Sequence, residues 1–406
     1  MPWTQQSAVD MRTRFIADAL EGRYKSHTEL CRQYNISRKT GYKWLKRYEE
    51  QPAAGLDDRS HRPQACPHGT PDPVVAALLE LRIRHPTWGA KKLLSILQTR
   101  HPDWDLPARS TAHDLLRRHG LVTRKRRRPR FGHPGRSRTT ADHPNELWTA
   151  DFKGQFRMKN GRYCFPLTVV DRHSRFLLGC DALHSTCESD SMRIFRRHFE
   201  EYGLPERIRT DNGVPFATYS LGRLSRMAIW WMRLGIRREL IEPGKPQQNG
   251  AHERMHKTLK AEATRPPEAN LRAQQRRFDT FRETFNHERP HEAIEQKPPG
   301  ALYRPATRPL PDRLPPLEYP GHFEVRKVSG NGGIRWRNRY LGITTVLINE
   351  YVGFEEVDDG LWTVYYSTVE LGRFNERTFK LTDMNGDDCR KPLQSRNRRY
   401  EMEAKV

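Results

Sequence analysis

The sequence predicts a multidomain chain with all-α helix-turn-helix units first, an α/β core on a mixed sheet next, and a small all-β barrel last. Three observations predict this order. Apolar residues recur at helical spacing up to about residue 121, strand-like and helix-like segments alternate from 145 to 287, and strand patterns alone fill 321–381. The length of 406 residues agrees, since domains of ~150 residues suggest two to four units.

Charge restricts the class of partner. The formal net charge is +23 and the pI is about 10.0. An excess of this size points to a polyanion, with nucleic acid first and an anionic membrane second. No apolar run approaches 18 residues and no secretory or lipidation motif is present, so a soluble, cytoplasmic protein without a membrane partner is expected. Cys31, Cys66, Cys164, Cys180, Cys187 and Cys389 contain no C-x-x-C pair. A disulfide framework or structural zinc is therefore not expected, and free thiols in small core positions are.

The first helical unit, 1–51, follows from Met11, Phe15, Ile16 and Leu20 on one helix and Leu30 and Cys31 on a second. After Asn35-Ile36-Ser37, Ser37 can cap a third helix carrying Tyr42, Trp44, Leu45 and Tyr48. That third helix exposes Arg38, Lys39, Lys43, Lys46 and Arg47, the pattern of a groove-reading helix. A linker rich in Pro, Gly, Asp and His precedes a second unit of the same type, 73–122, with helices near 73–84, 88–99 and 110–119. A basic linker, 123–140, then includes Arg124-Lys125-Arg126-Arg127-Arg128. Draped along DNA, such a block releases counterions and adds salt dependence.

From 141 to 297 the pattern is α/β. Strands are expected at 147–156 and 163–180, the latter folded back at Asp171-Arg172-His173-Ser174, and at 207–210 and 236–241. Helices are expected at 189–202, 221–234, 251–263 and 271–287, giving a mixed sheet with helices on both faces. The proline-rich 298–320 reads as an extended linker. In 321–382, Arg335, Arg337 and Arg339 alternate along a strand, so a small barrel with one basic face is expected.

Three acids stand in distinct contexts. Asp151 lies inside the strand Leu147-Trp148-Thr149-Ala150-Asp151-Phe152, and Asp211 closes the strand 207–210 and opens the turn Asp211-Asn212-Gly213. Glu253 follows Gln247-Gln248-Asn249-Gly250 just inside a helix. Two acids on neighbouring strands and one at a helix start can converge. Converged carboxylates hold Mg²⁺, or Mn²⁺ in its place, and two ions ~3.5–4 Å apart can activate an attacking oxygen and stabilise a leaving one. Lys257 and Lys260 share the face of Glu253 at one and two helical turns, where DNA phosphate can lie. Gln248 and Asn249, with Gly250, read as a mobile loop over the site that touches DNA. Asp171 reads as a hairpin cap, and Trp230-Trp231 as core or a protein contact. His252 and His256 flank Glu253 and could touch DNA, but their placement suggests no zinc site.

Trp148-Thr149-Ala150-Asp151, Thr210-Asp211-Asn212-Gly213, and Pro246-Gln247-Gln248-Asn249-Gly250 with Glu253 and Lys260 resemble the catalytic core shared by retroviral integrases and bacterial insertion-sequence transposases. Ile36 to Trp44 of the first helical unit is similar to the insertion-sequence branch, and the likeness spans residues 1 to about 380. The resemblance implies an RNase H-like fold with Asp151, Asp211 and Glu253 as catalytic metal ligands. It implies strand cleavage by water, then transfer of the new 3′-hydroxyl into target DNA. The implied partners are element terminal inverted repeats, target DNA and further copies of the chain, in a nucleoid-associated setting. Two departures exist. Helix-turn-helix units replace the zinc-binding domain of the retroviral relatives, and the 41 residues between Asp211 and Glu253 exceed the expected spacing. Glu239 and Glu242 compete for the third position but lack the Gln-Gln-Asn-Gly context. Two other functions compete with this one. A DNA-binding regulator would leave the three motifs unexplained, and a hydrolysis-only nuclease would share the triad but not need the flanking DNA-gripping units.

Overall fold

Three serines start the first three helices. The side chains of Ser7, Ser26 and Ser37 each accept a backbone N–H from the first turn of α1 (Ala8–Leu20), α2 (His27–Gln33) and α3 (Arg38–Glu50). The structure is a computed structural model. It describes residues 7–52, 54–58, 69–122, 140–218, 220–242, 246–384 and 386–388. The chain forms two compact units, Met1–Gly69 and Thr70–Val406. In the first, Phe15, Ile16, Leu30, Cys31, Trp44 and Leu56 form a common core. Gly41 lets α3 approach α2 closely, because a Cβ there would meet Cys31 Sγ at 2.6 Å. Arg12 lies over the Trp44 ring at 4.1 Å and donates to the Leu56 carbonyl, tying α1 to the end of the unit.

The second unit begins with α4 (Asp72–Arg84), α5 (Ala90–Arg100) and α6 (Arg109–Arg118), packed around Leu78, Trp88, Leu93, Leu97, Ala112 and Leu116. These helices are fastened to residues 262–292 of the α/β part. Lys91 pairs with Glu292 at 2.5 Å, Lys92 donates to the Pro290 carbonyl, and Thr87 bonds Glu262. Burial and the nearby Arg289 lower the Lys92 pKa to about 8.

The α/β part contains β1 (Leu147–Phe152), β2 (Phe156–Arg157), β3 (Tyr163–Asp171), β4 (Leu177–Leu183), α7 (Glu188–Tyr202), β5 (Arg207–Thr210), α8 (Arg226–Arg233), β6 (Arg237–Leu240), α9 (Gly250–Glu262) and α10 (Leu271–Glu283). β4, β3 and β1 pair antiparallel; β1, β5 and β6 pair parallel; β2 pairs with the start of β3. This is the expected mixed sheet. The alternation along β1 divides its two faces. Trp148 and Ala150 enter a core with Phe195, Phe199 and Trp231 of α7 and α8. Thr149 instead faces α9, where its hydroxyl bonds His252. On that side the apolar packing comes from Val170, Leu177 and Cys180 against Met255, Leu259, Phe278 and Phe281.

Three expectations for residues 221–320 need adjusting. The helix expected at 221–234 starts at Arg226, because Ser225 caps it and the preceding Leu221–Arg223 forms only a short 3-10 turn. The loop expected at Gln248-Asn249-Gly250 is a 3-10 turn, Pro246–Asn249, that runs directly into α9. The expected linker at 298–320 packs on the core. Tyr303 stacks on Phe176 with centroids 4.3 Å apart and bonds Asn145 at 2.9 Å, while Leu204 N–H donates to the Arg308 carbonyl. Proline-rich composition removes donors and regular structure; it does not prevent aromatic anchoring.

The C-terminal part is all-β. β7 (Glu324–Lys327), β10 (Tyr351–Asp358), β11 (Leu361–Tyr366), β12 (Val369–Asn375) and β13 (Lys380–Asp383) form an antiparallel sheet in the order β13-β12-β11-β10-β7. β8 (Gly333–Trp336) and β9 (Arg339–Gly342) form a separate hairpin, so Arg335, Arg337 and Arg339, expected along one strand, are divided between β8, the turn at Arg337-Asn338 and β9. Trp336, Phe354, Val364 and Phe374 share one core with Ala228, Ile229 and Met232 of α8. Thus α8 packs toward the α/β sheet through Met227, Trp230 and Trp231 and toward the C-terminal strands through Ala228, Ile229 and Met232. Among the described residues no helix is long and apolar enough to cross a membrane.

Asp171 is fully buried and caps the turn between β3 and β4. Its carboxylate accepts Asn145 N–H at 2.8 Å, Ser174 N–H at 2.8 Å and the Ser174 hydroxyl at 2.6 Å. Asp171→Ala leaves these buried donors unmatched and should cost about 2–3 kcal/mol. Urea unfolding checks this; an unchanged midpoint contradicts it.

Candidate active site

The pairing register decides where Asp151 sits. Asp151 lies opposite Thr168 across β1 and β3, and the Thr168 hydroxyl donates to the Asp151 carbonyl at 2.9 Å. The Asp151 side chain therefore leaves the sheet on the α9 side, near the end of β1. β5 runs parallel beside β1, so Asp211, just past the end of β5, follows the same direction. The Asp211 carboxylate accepts Gly213 N–H at 3.2 Å, which folds the turn back on the acid. Gly213 sits close to it, since a Cβ there would lie 3.2 Å from Asp211 Oδ2.

Glu253 lies in the first turn of α9, exposed, with Lys257 and Lys260 exposed further along the helix. The three acids form one electrostatic cluster. Burial first, then the charge of Asp211 and more weakly that of Glu253, push Asp151 up to about 7, against the opposing pull of Lys153. Burial also raises Asp211. A carboxylate whose proton affinity is raised by two neighbouring acids suits a divalent cation, which would relieve that repulsion.

Beneath this cluster lies a buried polar knot that sequence reasoning misses. His252 is 1% exposed and His256 6% exposed, so neither is placed to touch DNA as their positions beside Glu253 had suggested. His252 bonds the Thr149 hydroxyl through Nδ1 at 2.8 Å and the Thr168 hydroxyl through Nε2 at 2.7 Å. His256 Nε2 reaches the same Thr168 hydroxyl at 2.7 Å, and its Nδ1 lies 3.7 Å from Asp151 Oδ2. Burial holds both rings neutral, lowering His252 to about 3 and His256 to about 2. Asp151, His252 and His256 offer ligand atoms within 4.8 Å of one another. The available signal is the spacing of the histidines. At i and i+4 they occupy one helix face, opposite the polar Thr149 and Thr168 of the sheet.

A second set of contacts fixes the turn before α9. Arg209 is buried, donates to Glu239 at 2.8 Å and reaches the Gln248 carbonyl at 3.1 Å. The Gln248 side chain accepts Glu242 N–H and donates to its carboxylate, both at 2.9 Å. The competing acids Glu239 and Glu242 are thus engaged with Arg209 and Gln248. Asn249 is 6% exposed. In the first unit, Arg38, Lys39 and Lys43 are exposed along α3. Arg126, Arg127 and Arg128 lie outside the described residues.

The integrase core domain family matches residues 141–246 and, in a second form, 234–299. A helix-turn-helix domain matches 11–64 and a homeodomain-like domain 40–116. The chain is 27% identical over 249 residues to an uncharacterized 39.2 kDa protein of insertion element IS476 from Xanthomonas euvesicatoria, covering 61% of this chain and 69% of that protein. It is 26% identical to a 31.7 kDa protein of insertion element IS407 from Burkholderia multivorans, covering 56% and 79%. Among solved structures, the HTLV-2 integrase catalytic core domain in complex with magnesium aligns at 16% identity and a TM-score of 0.33, over 40% of this chain and 99% of that one.

The cluster predicts an unusual pH response in the metal-free protein. The folded state raises the Asp151 pKa, so between pH 4 and about 7 the folded state binds more protons than the unfolded one. Stability is therefore lost as pH rises through that window. Asp151→Asn removes this penalty and should stabilise the metal-free protein at pH 8 by about 2–4 kcal/mol, at ~1.4 kcal/mol per pKa unit. The gain should shrink toward pH 4. Calorimetric melting in chelator measures it; equal melting at pH 8 contradicts it.

Proposed function

We propose that the chain, which belongs to the insertion-sequence transposases with an integrase-like core and is a polynucleotidyl transferase, cuts the ends of its element with water and joins the new 3′-hydroxyls to target DNA. The observation behind this reading is the electrostatic coupling of Asp211 and Glu253 to the half-buried Asp151, each acid in its own motif. Asp151, Asp211 and Glu253 are the residues that would hold two divalent ions, Mg²⁺ with Mn²⁺ as substitute. Bound there, the ions would lower the pKa of the attacking water or 3′-hydroxyl and neutralise the leaving oxygen.

The chain's own residues do the rest. Asp151 is held by its carbonyl bond to Thr168, so its carboxylate has a fixed origin. Asp211 is aimed by the Gly213 N–H, and Glu253 by the burial of the helix face behind it. Lys257 and Lys260 hold the phosphate backbone on the Glu253 side. Gln248 and Asn249, at the mouth of α9, approach DNA once the turn opens.

The flanking units grip DNA. We read 1–51 as the first helix-turn-helix domain, with Arg38, Lys39 and Lys43 entering the groove. We read 73–122 as the second and 123–140 as a basic linker in which Arg126, Arg127 and Arg128 neutralise phosphates. The core occupies 141–297, and 321–382 is a small barrel whose hairpin presents Arg335, Arg337 and Arg339. Two element ends are handled together, so the working form is a homo-oligomer on terminal inverted repeats and target DNA. The divalent-cation step and the element ends distinguish this reading from a regulator, and the joining step distinguishes it from a nuclease.

Asp151→Asn and Asp211→Asn should each reduce Mg²⁺-dependent cleavage and joining at least ~1,000-fold, with binding to element ends retained. A pre-cut labelled end offered with target plasmid reads joining directly. Joined products from Asp151→Asn, or none from wild type, contradict the reading. Replacing Arg126, Arg127 and Arg128 together by Gln should lower the slope of log affinity against log salt by about 2–3, at ~0.9 per phosphate contact. Fluorescence anisotropy across a salt series measures it, and an unchanged slope counts against the linker contact.

A further inference from the structure

The Thr168 hydroxyl has one proton, and it gives it to the Asp151 carbonyl. The two ring nitrogens that reach this hydroxyl, His252 Nε2 and His256 Nε2, must therefore donate to it. A neutral imidazole carries one N–H, so the hydrogen-bond network assigns both rings the Nε2–H tautomer. The remaining nitrogens are acceptors. The Thr149 hydroxyl proton has two acceptors within reach, the Val170 carbonyl at 3.3 Å and His252 Nδ1 at 2.8 Å; the shorter contact takes it and completes that ring. His256 Nδ1 faces Asp151 Oδ2 across 3.7 Å.

Two acceptors facing each other across that distance are not hydrogen-bonded. Ligands that lie ~2.0–2.2 Å from one ion can stand up to about 4.4 Å apart, so the gap accommodates a shared cation. The His256 ring is buried, and its Nδ1 faces the acid across that gap.

We propose that His256 Nδ1 is a further ligand of the divalent ion held at Asp151, giving the site a nitrogen beside its carboxylate oxygens. This rests on the reading of Asp151 as a metal ligand. Magnesium takes oxygen ligands, whereas imidazole suits Mn²⁺ and later divalent ions better. The site therefore binds Mn²⁺ more tightly than Mg²⁺, and His256 is the source of the difference. Thr168 acts through the ring as a positioning residue, fixing which nitrogen is free.

Pulsed EPR on the full chain loaded with Mn²⁺ tests this. Wild type should show nitrogen coupling to the manganese, and labelling with ¹⁵N-histidine should convert that pattern to the ¹⁵N one. His256→Asn should remove the coupling and weaken Mn²⁺ at least ~10-fold, with a smaller change for Mg²⁺. If the variant fails to fold, the ¹⁵N-labelled wild type still decides whether a histidine binds. Manganese bound in an Asp151-dependent manner without histidine coupling, or with coupling that survives His256→Asn, overturns the proposal and leaves the carboxylate reading standing. Manganese binding unchanged in Asp151→Asn overturns the carboxylate reading itself.

Discussion

A single hydroxyl, that of Thr168, joins three elements of the α/β core. It donates to the Asp151 carbonyl on β1 and bonds His252 and His256 of α9, while its own backbone belongs to β3. The knot is buried, and a buried polar group left unpaired is costly, so its geometry has few alternatives. Its consequence is positional. Two rings one helical turn apart, anchored to adjacent strands, set both the distance of α9 from the sheet and its rotation. With His252 and His256 facing inward, Glu253 between them is turned outward, next to the end of β1. The exposed acid of the cluster is thus placed by the buried bases on either side of it.

The rest of the second unit is built around this placement. Trp148 and Ala150 fill the opposite face of β1 against α7 and α8, so the strand cannot rotate without emptying that core. Arg209 reaches from β5 to the Gln248 carbonyl and holds the turn that leads into α9. The segment through Tyr303 and Arg308 closes over the sheet end at Asn145 and Leu204. The helical part at 72–118 is fastened to the end of α9 by Thr87 and to residues after α10 by Lys91 and Lys92, and α8 shares part of its apolar surface with the C-terminal strands. The helices at 72–118, the α/β core and the C-terminal strands are in this way mechanically continuous within Thr70–Val406.

The alternation of β1, the turn at Asp211 and the helix opening at Gly250 are legible in the sequence because each is a local pattern. Asp171 is legible as a hairpin cap for the same reason. Thr168, His252 and His256 are not, because their partnership depends on strand register and helix rotation, which no local window contains. Thr168 reads as one more strand residue until it is set opposite Asp151. The histidines are visible as neighbours of Glu253, but their inward direction needs the sheet beneath them. The proline-rich stretch misleads, since composition reports the lack of ladder donors and not the anchoring of Tyr303. Gln248 and Asn249 read as an open loop because the contacts that order them, from Arg209 and Glu242, come from two other segments.

Thr168→Val keeps the strand's shape and removes only the hydroxyl, so amide hydrogen exchange in this variant isolates the role of that group. If the Thr168 hydroxyl positions α9, amides of 250–262 should exchange at least ~10-fold faster than in wild type, while those of β1 and β3 keep their protection. Equal exchange across α9 in the two proteins would show that the helix is held in place by something else.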